Sequence, residues 1–312
     1  MQANVFSGEP ATNGSSPHPV HPPSAESLPR LTRLADLVEE IRSDAEAAYD
    51  ARQSGVARGP VTGHRALDQE LGGVLQPGLH NVSGGPGVGK TALALQIAAE
   101  CGTPALYLSC EMGLLELLRR HTARVTGTYL GRLKTGELHP NEVVRLVQEA
   151  AAKAPQLALA DATQAYANPG WIRDAAEAIR GDSPHLLLVV DSVHSWAEAA
   201  PMERASEYDA LNAAIASLRD LAAQLRCPVL GIVERNRASM EKGGLHAAAG
   251  SRRFEYGAES VLDLMADKDA GAGPTGELAI TLKIEKNRNG SPGRRIPLRF
   301  HGALQTFREV DG

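Results

Sequence analysis

Cysteine is scarce in this chain: three residues in 312, Cys101, Cys110 and Cys227, with no C-x-x-C pair and no histidine-rich spacing around them. That pattern excludes a disulfide framework and a structural zinc site, and predicts three small core hydrophobes in a reducing compartment. There is no run of about eighteen apolar residues and no basic-then-apolar leader, so neither a membrane span nor export is predicted, and a cytoplasmic location is expected. Excess positive charge is missing too. With 32 Lys and Arg against 37 Asp and Glu, the net charge of −5 gives no global attraction to nucleic acid or acidic lipid. Any nucleic-acid contact must come from local basic loops. Aromatic residues make up only 4%; no stacking platform for bases stands out, and Trp171 and Trp196 are expected in or beside core elements.

What is present is enough apolar material, 43% of residues, to bury one large domain. Residues 1–30 are rich in Pro, Ser, His, Gly and Asn without apolar periodicity, so a disordered tail is expected there. Leu34, Val38, Ile41, Ala45 and Ala48 then recur at steps of four and three, predicting an amphipathic helix and linker over 31–59. From residue 60 to 312, short apolar runs alternate with helical stretches, the pattern of an α/β domain with a mostly parallel, twisted sheet flanked by helices. Strands are predicted near 79–83, 105–109, 157–160, 186–190, 228–233, 261–264, 277–285 and 296–300, the last two forming an antiparallel C-terminal hairpin. Helices are predicted near 88–100, 111–126, 140–153, 170–180 and 205–225.

The run Ser83-Gly-Gly-Pro-Gly-Val-Gly-Lys-Thr91 sits between a predicted strand and a predicted helix and satisfies GxxxxGK[ST], the Walker A pattern. Glycines let the backbone curl so that successive N–H groups point inward at phosphate oxygens, and the following helix adds its positive end. Gly84, Gly85, Pro86, Gly87, Val88, Gly89, Lys90, Thr91 and Ala92 are therefore the candidate nucleotide-binding residues. Lys90 is expected to bridge the β- and γ-phosphates of ATP, and the Thr91 hydroxyl to bind Mg²⁺.

Three further segments carry chemistry. The run His185-LLLVV-Asp191 ends in an acid at the C-terminal edge of a strand, where Asp191 is placed to hold Mg²⁺; acids also end strands for local reasons. Glu111 follows the strand ALYLS, where a carboxylate can polarise an attacking water or simply favour the positive end of the next helix. Lys286-Asn-Arg288-Asn-Gly290 places two cations two apart on a strand, hence on one face. The pair is either a candidate arginine finger or a solvated basic hairpin.

Taken in order, these segments resemble the RecA-like motor domain of the DnaB family of replicative helicases, from about Pro60 to Val310. VTGHRALDQELGGVLQPGLH is similar to the family's approach to the phosphate loop and YLSCEM to its second-strand motif. PVLGIVERNR is similar to its P-V-x-x-x-S-Q-L-N-R segment, and KNRNG with LRFHGALQTF to its trans-acting Lys-x-Arg hairpin. The helix at 31–50 looks like the family's linker helix. The resemblance implies a homo-oligomer, a hexameric ring, with ATP between subunits and Lys286 and Arg288 completing the neighbour's site. It also implies single-stranded DNA in the centre, with a DNA-facing loop near 238–251; Arg237, Lys242, Arg252 and Arg253 are the candidate DNA contacts.

Departures shape the expectation. Glu234 stands where the family has Gln, Asp191-Ser-Val and the segment 250–259 look closer to RadA or RecA relatives, and the loop near 238–251 carries few cations. No helical domain precedes the linker helix, so a primase contact is not expected. The leading expectation is an ATP-dependent DNA helicase or translocase. Alternatives are a RadA/RecA-like recombination ATPase and a KaiC-like nucleotide-gated assembly protein without motor activity.

Overall fold

The computed structural model describes residues 31–201, 206–234, 257–267 and 276–310. The chain divides into two compact units at Asp50/Ala51. In the first lie a 3-10 turn, Leu34–Leu37, and most of helix α1, Val38–Ser54, none of whose residues is buried.

The second unit is built on one sheet. Among the described residues it has nine strands: β1 Gly78–Gly84, β2 Ala105–Ser109, β3 Leu157–Asp161, β4 Leu187–Asp191, β5 Pro228–Glu234, β6 Ser260–Ala266, β7 Glu277–Asn287, β8 Arg295–His301 and β9 Thr306–Glu309. Their order is β3-β2-β4-β5-β1-β6-β7-β8-β9. The first six in that order run parallel, and β7, β8 and β9 add antiparallel at the end. The expected mostly parallel α/β sheet with an antiparallel end is what the chain forms.

Helices α2 (Arg65–Glu70), α3 (Lys90–Glu100), α4 (Leu114–Thr126), α5 (Pro140–Ala152), α6 (Pro169–Arg180), α7 (Val193–Glu198) and α8 (Glu207–Leu225) fill the connections. Several begin where sequence chemistry says they should. Pro140 and Pro169 occupy first-turn positions behind the caps His139 and Asn168, and Ser206 caps α8 by accepting the Asp209 N–H. Two of the predicted helices that start later than expected have a visible local cause. α3 begins at Lys90 because Gly89 is left-handed, φ 93°. α4 begins at Leu114 because Ser109 ties down the preceding turn, accepting the Met112 N–H at 3.3 Å and donating to the Met112 carbonyl at 2.6 Å. The short elements α2, α7 and β9 were not anticipated; four to six residues carry too little periodicity to be seen in sequence.

Strand alternation divides the core in two. Tyr107 on β2, Leu187 and Val189 on β4, and Leu230 and Ile232 on β5 pack on one face with Leu93 and Ile97 of α3. Their neighbours Leu106, Leu108, Leu188, Val190 and Val229 pack on the other with Ile172 of α6, Trp196 of α7 and Leu218 and Leu221 of α8. Because successive side chains leave a strand on opposite faces, Asp191 continues the Leu187, Val189 series and emerges on the α3 side. Cys101 and Cys227 are buried and Cys110 is half-buried, all three as free thiols. Trp196 is 2% exposed and lies in the core, whereas Trp171, 48% exposed, lies beside it on α6. The buried stripe of α6 is Ile172 and Ala176, and the adjacent Trp171 is rotated about 100° away from it.

Candidate active site

The phosphate loop joins β1 to α3, and its glycines are dictated by space and backbone angle. A Cβ on Gly84 would lie 2.7 Å from the Leu264 carbonyl oxygen and 2.9 Å from Val88 Cγ2. One on Gly89, at φ +93°, would lie 2.8 Å from the Phe307 ring. Val88 turns into the core at 7% exposure, which fixes the loop from below. Lys90 Nζ folds back over the loop and donates to the carbonyls of Gly84 and Gly85, each at 3.2 Å.

On the same side, Asp191 is 4% exposed and accepts the Tyr107 hydroxyl at 2.6 Å. Burial raises its pKa above the ordinary carboxylate value; hydrogen bonds from Tyr107 and Thr91 oppose that shift, Glu111 adds to it and Lys90 opposes it. Glu111 is exposed beyond the end of β2, and its Oε1 accepts the Ser192 hydroxyl and, at 2.8 Å, the Ser195 hydroxyl. Ser192 and Ser195 belong to the start of α7, so the turn that follows Asp191 also orients Glu111. The thiol of Cys110 is pushed up to about 12 by burial and then by the charges of Asp191 and Glu111, so it stays protonated here.

These groups line a cavity of 360 Å³ whose walls include Gly87, Gly89, Lys90, Thr91, Ala92, Glu111 and Asp191. Of the predicted loop residues, Gly84 and Gly85 enter through the carbonyls that hold Lys90, and Val88 supports the loop from the core. Among the wall residues not predicted, three carry charged or amide side chains. Arg120 of α4 donates to Gln305 Oε1 at 2.6 Å and lies 3.3 Å from a Glu116 oxygen. Gln305, left-handed at φ 55°, comes from the β8–β9 turn. Glu234, noted in sequence only as a departure, ends β5, and its backbone N–H approaches His194 Nδ1 at 3.4 Å. In the sequence Arg120 looks like any charge on an amphipathic helix; only the meeting of α4 with β8–β9 marks it.

Lys286 and Arg288 are elsewhere. Lys286 pairs with Val261 across an irregularity in the β6–β7 ladder, and Arg288 lies one residue beyond β7. β7 is antiparallel, so its C-terminal end lies beside the N-terminal ends of β6 and β1, the edge opposite the phosphate loop. Arg237, Lys242, Arg252 and Arg253 lie outside the described residues.

The arrangement fits a magnesium nucleotide. The loop is shaped so that no Cβ crowds its inner curve, Lys90 supplies a cation, and Thr91 and Asp191 meet as the two oxygen donors that a mostly water- and phosphate-coordinated Mg²⁺ requires. Fold and site together define a phosphate-loop α/β domain of the RecA-like kind. The chain belongs to the DnaB-like helicase C terminal domain family, whose model matches residues 59–309. It is 27% identical over 289 residues to the replicative DNA helicase DnaB of Treponema pallidum (strain Nichols), a match covering 88% of this chain and 61% of that protein. The chain thus spans about three fifths of the length of the curated relatives it matches. In fold it is similar to a separately solved ATPase domain, with a TM-score of 0.72 at 17% identity over 87% of this chain and 99% of that one. It is also similar to a DnaB-like replicative helicase solved in a study of its interactions with primase, with a TM-score of 0.70 at 17% identity over 89% of this chain and 71% of that one. Membership of this family implies nucleotide use. Among the described residues no helix is long and apolar enough to cross a membrane.

Proposed function

We propose that this chain is an ATP-dependent DNA helicase or translocase of DnaB type, hydrolysing ATP at the subunit interfaces of a homo-oligomeric, hexameric ring on single-stranded DNA. The observation that carries the reading is the separation of the two halves of the site. Arg288 pairs with Glu259, whose N–H donates to the Leu79 carbonyl at the start of β1, whereas the phosphate loop begins at Gly84. Five strand residues are about 17 Å, a distance that keeps Arg288 from the nucleotide of its own chain and supports a role for it at a neighbour's.

In this reading the loop amides and Lys90 hold the ATP phosphates, and Thr91 and Asp191 are the residues that would hold Mg²⁺. The metal would neutralise charge gathering on the phosphate oxygens. Glu111, aimed by Ser192 and Ser195, orients the attacking water and takes its proton as the bond to the ADP oxygen breaks. Lys286 and Arg288 of the adjacent subunit stabilise the transferred phosphoryl group. Glu234 both lines the cavity and leads into the segment that carries Arg237 and Lys242. With Arg252 and Arg253, these cations are our candidate DNA contacts.

The test is ATP hydrolysis by the full chain with and without single-stranded DNA, together with unwinding of a forked duplex. We expect stimulation by DNA, weakening as salt rises because counterions are released on binding. ATPase activity indifferent to DNA, with no salt-sensitive DNA binding, rejects the motor reading. It would favour the KaiC-like assembly protein, a second reading supported by Glu234, whose carboxylate cannot donate a hydrogen bond to phosphate while ionised. A helical filament on DNA, rather than a ring, would instead favour the recombination-type ATPase.

A further inference from the structure

Arg288 is held, and the group that holds its guanidinium has no assigned role. Arg288 Nη1 donates to Glu259 Oε1 at 2.9 Å, and the Arg288 backbone N–H donates to the Glu259 carbonyl at 2.9 Å. Glu259 is anchored in turn: its own N–H donates to the Leu79 carbonyl at 2.7 Å. Gly78, at φ +138°, leaves the space for its side chain, since a Cβ there would fall 2.3 Å from Glu259 Cγ. The Glu259 side chain is 21% exposed and that of Arg288 52%, so the carboxylate is the fixed partner.

The backbone on the far side of Arg288 is fixed as well. Asn287 Nδ2 donates to the Glu70 carbonyl at 2.6 Å, and its Oδ1 accepts the Asn289 N–H at 3.0 Å. With the main chain held on both sides, the contact with Glu259 decides where the long side chain points. Among the described residues, the same hollow, of 420 Å³, is lined by Arg219, Arg226 and Arg288 against one carboxylate, Glu259. A guanidinium carries five N–H donors in a planar fork, so a single contact to Glu259 leaves most of them for another oxyanion.

We propose that Glu259 is a positioning residue for Arg288, gripping one part of the guanidinium so that the rest is presented to the phosphates of the nucleotide bound in a neighbouring copy. The proposal rests on the reading of Arg288 as a trans-acting finger. A finger held in place before the reaction contributes to the transition state without first being ordered, whereas nucleotide binding itself belongs to the phosphate loop.

The test uses the full chain and steady-state ATP hydrolysis across ATP concentrations for wild type, Glu259→Ala, Arg288→Ala and the double variant. Glu259→Ala is expected to lower kcat about ten- to a hundredfold, the scale of a misplaced reacting group, with KM within about twofold. The double variant is expected to match Arg288→Ala, because Glu259 acts only through that side chain. Glu259→Gln fills the same space beside Gly78 and is expected to fall between wild type and Glu259→Ala. Mixing Glu259→Ala protein with Lys90→Ala protein is expected to restore activity, because some interfaces then pair an intact phosphate loop with an intact finger. A double variant whose loss is the product of the single losses, a KM effect without a kcat effect, or no recovery on mixing overturns the positioning role. Wild-type kcat in Arg288→Ala overturns the finger reading itself, and the role of Glu259 falls with it.

Discussion

His80 shows how much one residue's surroundings decide. It sits on β1 at 1% exposure, with Nε2 2.7 Å from the Gln76 carbonyl and Nδ1 2.8 Å from the Ser260 hydroxyl. A carbonyl only accepts, so Nε2 carries a proton, and in the neutral ring that burial favours Nδ1 accepts from Ser260. Burial lowers its pKa below the ordinary histidine value, against weaker opposing effects of the Gln76 carbonyl and Glu259. The native state therefore resists a proton that the unfolded chain takes up near pH 6.5. The neutral fold is fully favoured above that pH and loses stability as pH falls below it. Denaturant titrations between pH 7.5 and 5.5 are expected to show a shallower loss for His80→Gln than for wild type, the difference reaching at most about 1.4 kcal/mol per pH unit below 6.5. Identical slopes would mean that His80 takes up its proton over the same pH range in the fold as in the unfolded chain. Nothing in the sequence distinguished this histidine; its role exists only because β6 brings Ser260 alongside.

At the scale of elements, the antiparallel end of the sheet is clasped to α3 by one side chain. Gln96 Nε2 donates to the Phe307 carbonyl at 3.2 Å, and its Oε1 accepts the Phe307 N–H at 2.9 Å. The same Phe307 ring stacks on Phe300, 4.5 Å between centroids, and closes over Gly89. Gln96→Leu would leave both backbone groups buried without partners, at about 1–3 kcal/mol each. Chemical denaturation should show a loss of about 2–6 kcal/mol, and nucleotide affinity should drop as Phe307 no longer supports the loop. An unchanged denaturation midpoint would show that water or a shifted β9 replaces the bonds. The helix starts at Pro140, Pro169 and Ser206 could be read from sequence because capping is local. The Gln96 clasp could not, because its partner lies 211 positions away.

For the whole molecule, the placement of the phosphate loop and the proposed finger on opposite sheet edges has a direct consequence. Lys90→Ala and Arg288→Ala proteins should each lose ATP hydrolysis, yet a mixture allowed to exchange subunits should recover part of it, because some interfaces then contain an intact loop facing an intact finger. Recovery is measured as ATPase rate against mixing ratio. A mixture no more active than the average of the two inactive proteins would mean that the finger does not act between subunits. On the proposed reading neither edge completes the chemistry alone, and assembly is a condition of activity.

The sequence by itself determined the local terms: a phosphate loop from its glycines, Lys90 and Thr91, the parallel strands from their unbroken apolar runs, and acids at strand ends. These follow from backbone sterics and periodicity, which act over a few residues. Only the tertiary structure decided that Tyr107 and Thr91 meet at Asp191, that α7 aims Glu111, that Arg120 and Gln305 close the cavity, and that Glu259 grips Arg288. Those pairings depend on strand order and on the antiparallel return of β7, long-range contacts that no local pattern encodes.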